Sequence, residues 1–233
     1  MNVSVKDSRT ALLLGEEGVN KLKGAYVAVF GIGGVGGFAC EALARAGVGR
    51  MLLVDDDTVS VSNLNRQLVA LHSTVGMPKT EVMAQRIRDI APDCKVTVKT
   101  RRYEPQNRDM FFENSYDFIA DAIDSVACKT DLIATAIEKN IPIISAMGTG
   151  NKLDSTKFVI TDLSKTSGCP LARVMRRELK QRGILHHTVL YSTEPAIKPL
   201  FQPEEGKTVP GSVAWVPSCA GLMMAGHIIQ QLI

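Results

Sequence analysis

Three observations on this 233-residue chain predict an α/β fold with a doubly wound, mostly parallel sheet. Short apolar runs rich in β-branched residues end in glycine or acidic clusters, as strands buried on both faces do. Segments with helical periodicity separate those runs, so strand and helix alternate over residues 1–150. Beyond Gly150 the pattern changes to an antiparallel elaboration, and the chain closes on an apolar final helix.

Taken in order, residues 8–22 (SRTALLLGEEGVNKL) read as an amphipathic helix. Residues 25–30 (AYVAVF) form the first strand, and a helix over 38–46 is closed by Gly47 and Gly49. The second strand, 50–54, runs into Asp55, Asp56 and Asp57. Pro78 opens a helix to residue 90, since a proline at the first helical position loses no hydrogen bond there. A weakly alternating strand at 96–100, a strand at 117–120, a helix at 125–139 and a strand at 141–146 complete the alternation. Strands at 157–162 and 188–192 flank a helix at 170–181 whose outer face is basic. Residues 196–210, rich in proline and charge, read as a loop that could act as a lid. The expected organisation is one domain over 1–233, with a nucleotide-binding part at 1–150 and a substrate or dimer elaboration at 151–233.

Composition sets outer limits. An apolar content of 45%, a charged content of 22% and a formal charge of +3 are those of an ordinary globular protein, and the charge alone does not argue for nucleic acid. The five cysteines form no CxxC pair, which excludes a tetrahedral zinc site of that kind and a disulfide framework, so no zinc is expected and a cytoplasmic location is. The start MNVSVKDSRT has no apolar core of a secretory leader. The apolar tail at 213–233 is interrupted by Pro217, Ser218, His227 and two glutamines, which favours a buried helix over a membrane span.

The chemistry begins at GIGGVG, where Gly31, Gly33, Gly34 and Gly36 permit a tight strand-to-helix turn and a close approach of backbone N–H groups to phosphate. Asp55 ends the next strand, where a carboxylate can accept from ribose hydroxyls; Asp57 joins the candidate set from the same acidic run. These features give the fold a Rossmann-like cast but fit NAD, FAD and ATP equally. Asn63, Arg66 and Gln67 then supply polar groups that hydride transfer does not need, Arg66 with a planar fork of donors for phosphate oxygens. Lys79 adds a point charge in the first turn of a helix. Asp121 and Asp124 flank the end of the strand at 117–120, where Asp124 could hold Mg²⁺ beside phosphates or instead cap the following helix.

GIGGVGGF, LVDDDTVSVSNLNRQ, VGMPKTEV and DAIDS, spread over residues 9–150, resemble the ThiF/HesA/MoeB family, relatives of the ubiquitin-activating enzymes. The resemblance implies a homodimeric Rossmann-like enzyme that uses ATP and Mg²⁺ to adenylate a carboxylate. It assigns ATP to Gly33 and its neighbours, Asp55, Asn63, Arg66 and Lys79, and Mg²⁺ to Asp124. It also matches Arg9 to an arginine that reaches the partner subunit's site. PLARVMRRELKQRGI, VLYSTEPA and GSVAWVPSCAGLMMAG look like the branch that dehydrates threonylcarbamoyladenosine in tRNA. That implies tRNA as substrate, with Arg173, Arg176, Arg177 and Lys180 either contacting its phosphates or forming a solvated helix face. Cys169 stands where aspartate is expected; it reads as an incidental small residue or as the nucleophile of thioester-forming relatives. Two competing readings follow: activation of the C-terminal carboxylate of a ubiquitin-like sulfur carrier, with Cys169 or another cysteine accepting acyl or sulfur chemistry and a sulfur-transfer partner, or an NAD-dependent oxidoreductase.

Overall fold

The computed structural model describes residues 4–201 and 209–233. Seven strands form one sheet in the order β3-β2-β1-β4-β5-β7-β6. They are β1 (Tyr26–Phe30), β2 (Arg50–Val54), β3 (Lys95–Lys99), β4 (Phe118–Asp121), β5 (Ile143–Ala146), β6 (Phe158–Asp162) and β7 (Thr188–Ser192). All neighbours are parallel except β6 and β7, which are antiparallel. The expected C-terminal elaboration is therefore an extension of the same sheet, since β7 lies parallel against β5.

Six α-helices cover the two faces: α1 (Ser8–Gly24), α2 (Gly36–Ala46), α3 (Lys79–Ile90), α4 (Val126–Glu138), α5 (Pro170–Gln181) and α6 (Trp215–Leu232). Strand alternation decides which face each meets. Val27, Val29, Met51, Leu53 and Ala120 turn to the core shared with α2, α3 and α6. Ala28, Phe30, Leu52 and Ile119 turn to the other core, with α4, α5 and the aromatic residues Tyr103, Phe111 and Tyr116. On α5, Ala172, Met175 and Leu179 recur at helical spacing and are buried. Burying the last two stabilises by roughly 1.5–3 kcal/mol each.

Several boundaries differ from the sequence reading, each for a local reason. The first helix is not continuous: Gly15 takes φ 72 and ψ 168 inside it, which breaks it into two pieces. Pro78 precedes α3 as its N-cap residue, and Lys79 is the first helical residue. The strand expected at 117–120 lies one residue later: the Asp117 N–H donates to the Tyr26 carbonyl, but the Tyr26 N–H goes to the Asp117 side chain in place of a backbone carbonyl. Asp121 is consequently the last residue of β4 and is fully buried. α6 buries one face against α2 and leaves Leu222 and Met223 open to solvent, so the final helix is buried on one side only. No helix of the described residues is long and apolar enough to cross a membrane. The loop expected at 196–210 lies partly outside the described residues.

Candidate nucleotide and adenylation site

A cavity of about 580 Å³ opens at the C-terminal ends of β1, β2 and β4. β1 has β2 on one side and β4 on the other, so the chain changes direction there, which is where ligands of open α/β sheets bind. The cavity gathers Gly31, Gly33, Gly34, Asp55, Asp57, Asn63, Arg66, Gln67, Lys79 and Asp124, residues separated by up to 93 positions in the chain.

The glycine loop is shaped by close approach. Gly31 has φ +89, and a Cβ on it would lie 2.6 Å from the Ala122 carbonyl oxygen; one on Gly36 would lie 1.7 Å from that of Gly31. Gly36 therefore serves packing at the start of α2 and does not line the cavity. Asp55 is held by two backbone donors: Ile32 N–H gives to Oδ2 at 2.6 Å and Asp57 N–H to Oδ1 at 2.8 Å. Burial nevertheless raises its carboxyl above the ordinary value, against those two bonds and the Lys79 charge. Asp55 lines the cavity, and its carboxylate keeps lone pairs beyond those two bonds.

The polar set after β2 is locally braced. A 3-10 turn at Val61–Asn63 presents Asn63, which is buried and whose Oδ1 accepts the Ser60 N–H at 3.1 Å. Arg66 Nη1 donates to the Ser62 carbonyl and to Asn65 Oδ1, both at 2.9 Å, which aims the guanidinium. Gln67 is buried, and its Oε1 has no hydrogen-bond partner among the described residues. Lys79 donates to Asp57 Oδ2 at 2.6 Å. Asp124 is exposed and makes no hydrogen bond or ion pair among the described residues. The cap reading for it fails, because α4 is preceded by Ser125 as its N-cap and that cap has no side-chain bond.

Other expected residues fall outside the cavity. Arg9 is exposed on α1 and does not line it. Of the basic face of α5, Arg173 and Lys180 are exposed, Arg177 pairs with Glu178 at 2.8 Å, and Arg176 departs from the expectation. Its Nη1 donates to the Thr166 carbonyl at 2.8 Å and to the Thr166 hydroxyl, so its guanidinium braces the turn before α5. Cys169 is the N-cap residue of α5, buried in the second core and outside the cavity; the thiol that lines the cavity is that of Cys128 on α4. The structure adds Arg101, Arg102 and Tyr103 after β3, Thr149 and Gly150 after β5, and Ser212 and Pro217 near the start of α6. Ser212 and Pro217 fall within GSVAWVPSCAGLMMAG, which assigned them no role; no motif marks the other five, whose available signal is their place beyond the carboxyl ends of β3 and β5.

A nucleotide fold carrying an arginine, a lysine and an unencumbered carboxylate in one cavity defines the adenylating class. The chain belongs to the ThiF family, which it matches over residues 7–233. It is 44% identical over 97% of its length to the tRNA threonylcarbamoyladenosine dehydratase of Bacillus subtilis, 94% of which is covered. The crystal structure of the Escherichia coli tRNA N6-threonylcarbamoyladenosine dehydratase in complex with ATP superposes with a TM-score of 0.90, at 37% identity, covering 97% of this chain and 93% of that one. The Escherichia coli sulfur carrier protein ThiS adenylyltransferase is 34% identical over 59% of this chain and 55% of its own.

Proposed function

We propose that this protein is an ATP-dependent dehydratase that cyclises N6-threonylcarbamoyladenosine in tRNA through an adenylated carboxylate. The observation that carries the reading is the single cavity at the strand-order reversal, which joins the glycine loop to Arg66, Lys79 and Asp124, in a chain so similar to the Bacillus subtilis enzyme. A dinucleotide oxidoreductase would have no use for those three side chains there. Carrier activation is the weaker reading: the carrier-activating relative aligns with little more than half of the chain, and Cys169 is buried away from the cavity.

In this reading a carboxylate oxygen of the threonyl group attacks the α-phosphorus of ATP and pyrophosphate leaves. The carbamoyl nitrogen then attacks the acyl carbon, its proton is lost, and AMP leaves as the ring closes. The net change in the nucleoside is loss of one water. Backbone N–H groups of the glycine loop and the start of α2 bind the phosphates, Asp55 accepts from the ribose, and Asn63 and Gln67 fill the polar wall. Arg66 and Lys79 stabilise the charge that develops on the departing pyrophosphate. Asp124 suits Mg²⁺, because a free carboxylate beside phosphates is the donor set that ion takes. Mg²⁺ supplies charge neutralisation at the phosphate oxygens. Ring closure needs no protein nucleophile; holding nitrogen beside the acyl carbon makes the step unimolecular.

The chain acts as one unit, residues 1–150 holding the nucleotide and 151–233 serving the substrate or a second subunit; the insertion of β7 beside β5 supports this. Homodimerisation accounts for Arg9 and for Leu12 and Leu13 beside it on α1, which are 74% and 88% exposed. A second copy would cover those leucines and receive Arg9 in its cavity. Arg173 and Lys180 remain available to tRNA phosphates. A tRNA substrate puts the protein in the cytoplasm. ATP–pyrophosphate exchange by the purified protein, with and without tRNA carrying threonylcarbamoyladenosine, tests the reading: exchange is expected only with that tRNA, and exchange driven instead by a carrier ending in Gly-Gly would replace it.

A further inference from the structure

Behind the cavity wall lies a chain of buried polar groups of which only Asp121 belongs to a motif. Asp121 Oδ2 accepts from Lys129 Nζ at 2.7 Å and from Ser145 Oγ at 2.6 Å. Asp121 Oδ1 accepts the backbone N–H of Ile123 at 3.0 Å. Lys129, Asp121 and Ser145 are all fully inaccessible to solvent, and Ser145 lies beside Asp121 in the register of β4 and β5. His187, at the entrance to β7, places Nε2 2.8 Å from Ser145 Oγ. A carboxylate only accepts, so the single hydroxyl proton of Ser145 goes to Asp121, and His187 must donate through Nε2. The donors run one way, from β7 through β5 to β4.

Stability does not account for this arrangement. Removing two charges from water costs several kcal/mol per ion, and apolar residues of similar volume fill such a space as stably. What the pair does is fix where Oδ1 points, and Oδ1 holds Ile123. Ala122 and Ile123 are cavity wall, the Ala122 carbonyl lies against Gly31, and Asp124 follows directly. Asp124 has no partner among the described residues, so the turn beneath it determines where its carboxylate stands.

We propose that Asp121 is a positioning residue for adenylation: its buried side chain, oriented by Lys129, Ser145 and His187, holds the Ile123 N–H through Oδ1, fixes the turn at 122–124 and so aims Asp124 at the nucleotide phosphates. The inference rests on the adenylation reading above. It predicts that the oxygen facing Ile123, and not the charge itself, is what catalysis requires.

Two double variants separate these. Lys129→Met with Asp121→Asn removes the charges and keeps an acceptor for the Ile123 N–H; Lys129→Met with Asp121→Leu removes both. ATP–pyrophosphate exchange is expected to keep its kcat within about tenfold in the first and to lose about 100-fold in the second, with the KM for ATP little changed, the scale on which a small misplacement acts. Hydrogen exchange at the Ile123 amide should be faster in the Leu double. Equal kcat in the two doubles, or equal protection of Ile123, would overturn the proposal. Should both fail to fold, Ser145→Ala decides, because it keeps the ion pair: lower kcat with a less protected Ile123 amide upholds the proposal, and wild-type values overturn it. Absence of exchange in the wild type would sink the adenylation reading instead, while Ile123 protection would still report on the network.

Discussion

Lys79 Nζ lies 2.6 Å from Asp57 Oδ2, with 6% of the lysine side chain exposed and 64% of the aspartate's. The lysine is thus held from the solvent side by an acid at the cavity rim, and its backbone N–H also donates to the Asp57 carbonyl at 3.0 Å. An ammonium has three donors, so this contact aims the group and leaves two for phosphate oxygens.

Replacing each partner should therefore have unequal effects. Lys79→Met is expected to lower kcat/KM for ATP–pyrophosphate exchange by about 10²–10³, or roughly 3–4 kcal/mol, the typical effect of deleting one donor to developing charge. Asp57→Asn keeps an acceptor for the ammonium and should cost no more than about tenfold on the same scale. A Lys79→Met enzyme as active as wild type would mean that Lys79 only closes the turn.

The glycine loop gives a paired test of fold against ligand. A Cβ at Gly36 would overlap the Gly31 carbonyl, so Gly36→Ala should destabilise the protein strongly in thermal denaturation. At Gly33 the nearest neighbour of a Cβ is Gln67 Nε2 at 3.8 Å, an ordinary contact. Gly33→Ala should leave the melting temperature near wild type while weakening ATP binding measured by calorimetry. Equal ATP affinity in that variant would place the phosphates elsewhere.

His187 supplies a pH signature. Burial, and then the Lys129 charge, push it down to about 3. In the unfolded chain a histidine titrates near 6.5. Between those values the unfolded state binds the extra proton, so the stability is complete above about pH 6.5 and is lost as pH falls toward about 3, by at most ~1.4 kcal/mol per unit. His187→Gln, which can still donate to Ser145, should flatten that limb in urea titrations at several pH values. The two proteins differ only at this position, so the difference between the two curves reports the histidine; coincident curves would contradict its buried neutral state.

On α5, Arg173→Ala and Lys180→Ala should each weaken tRNA binding and reduce the salt slope of log K by about 1, without changing stability. Arg176→Ala should instead lower the melting temperature, because it strips the Thr166 carbonyl and hydroxyl of their donor. Filter binding across a salt series, beside calorimetric melting, distinguishes the two outcomes.

The sequence was most legible where chemistry and local geometry coincide. GIGGVG, Asp55, Arg66, Lys79 and Asp124 all follow strand ends, and a parallel sheet carries its strand ends to one rim, so their convergence was readable from order alone. Long-range pairing was not readable. Nothing near Lys129 in the chain announces that it is buried against Asp121, because the partners Ser145 and His187 arrive only when β5 and β7 are laid beside β4. Arg176 illustrates the opposite error: helical spacing put it on the basic face, while the turn at Leu163–Lys165 offered its guanidinium carbonyl partners that only tertiary packing brings near. Gly15 looked like an interior residue of a continuous helix, yet its freedom to take a positive φ lets the chain turn there.

The most direct test of the central claim is nucleoside mass spectrometry of tRNA carrying threonylcarbamoyladenosine after incubation with the protein, ATP and Mg²⁺. The account predicts that the nucleoside loses the mass of one water, that one AMP and one pyrophosphate appear per conversion, and that Asp124→Ala abolishes all three. An unchanged nucleoside, with AMP formed only when a Gly-Gly carrier protein is supplied, would contradict it.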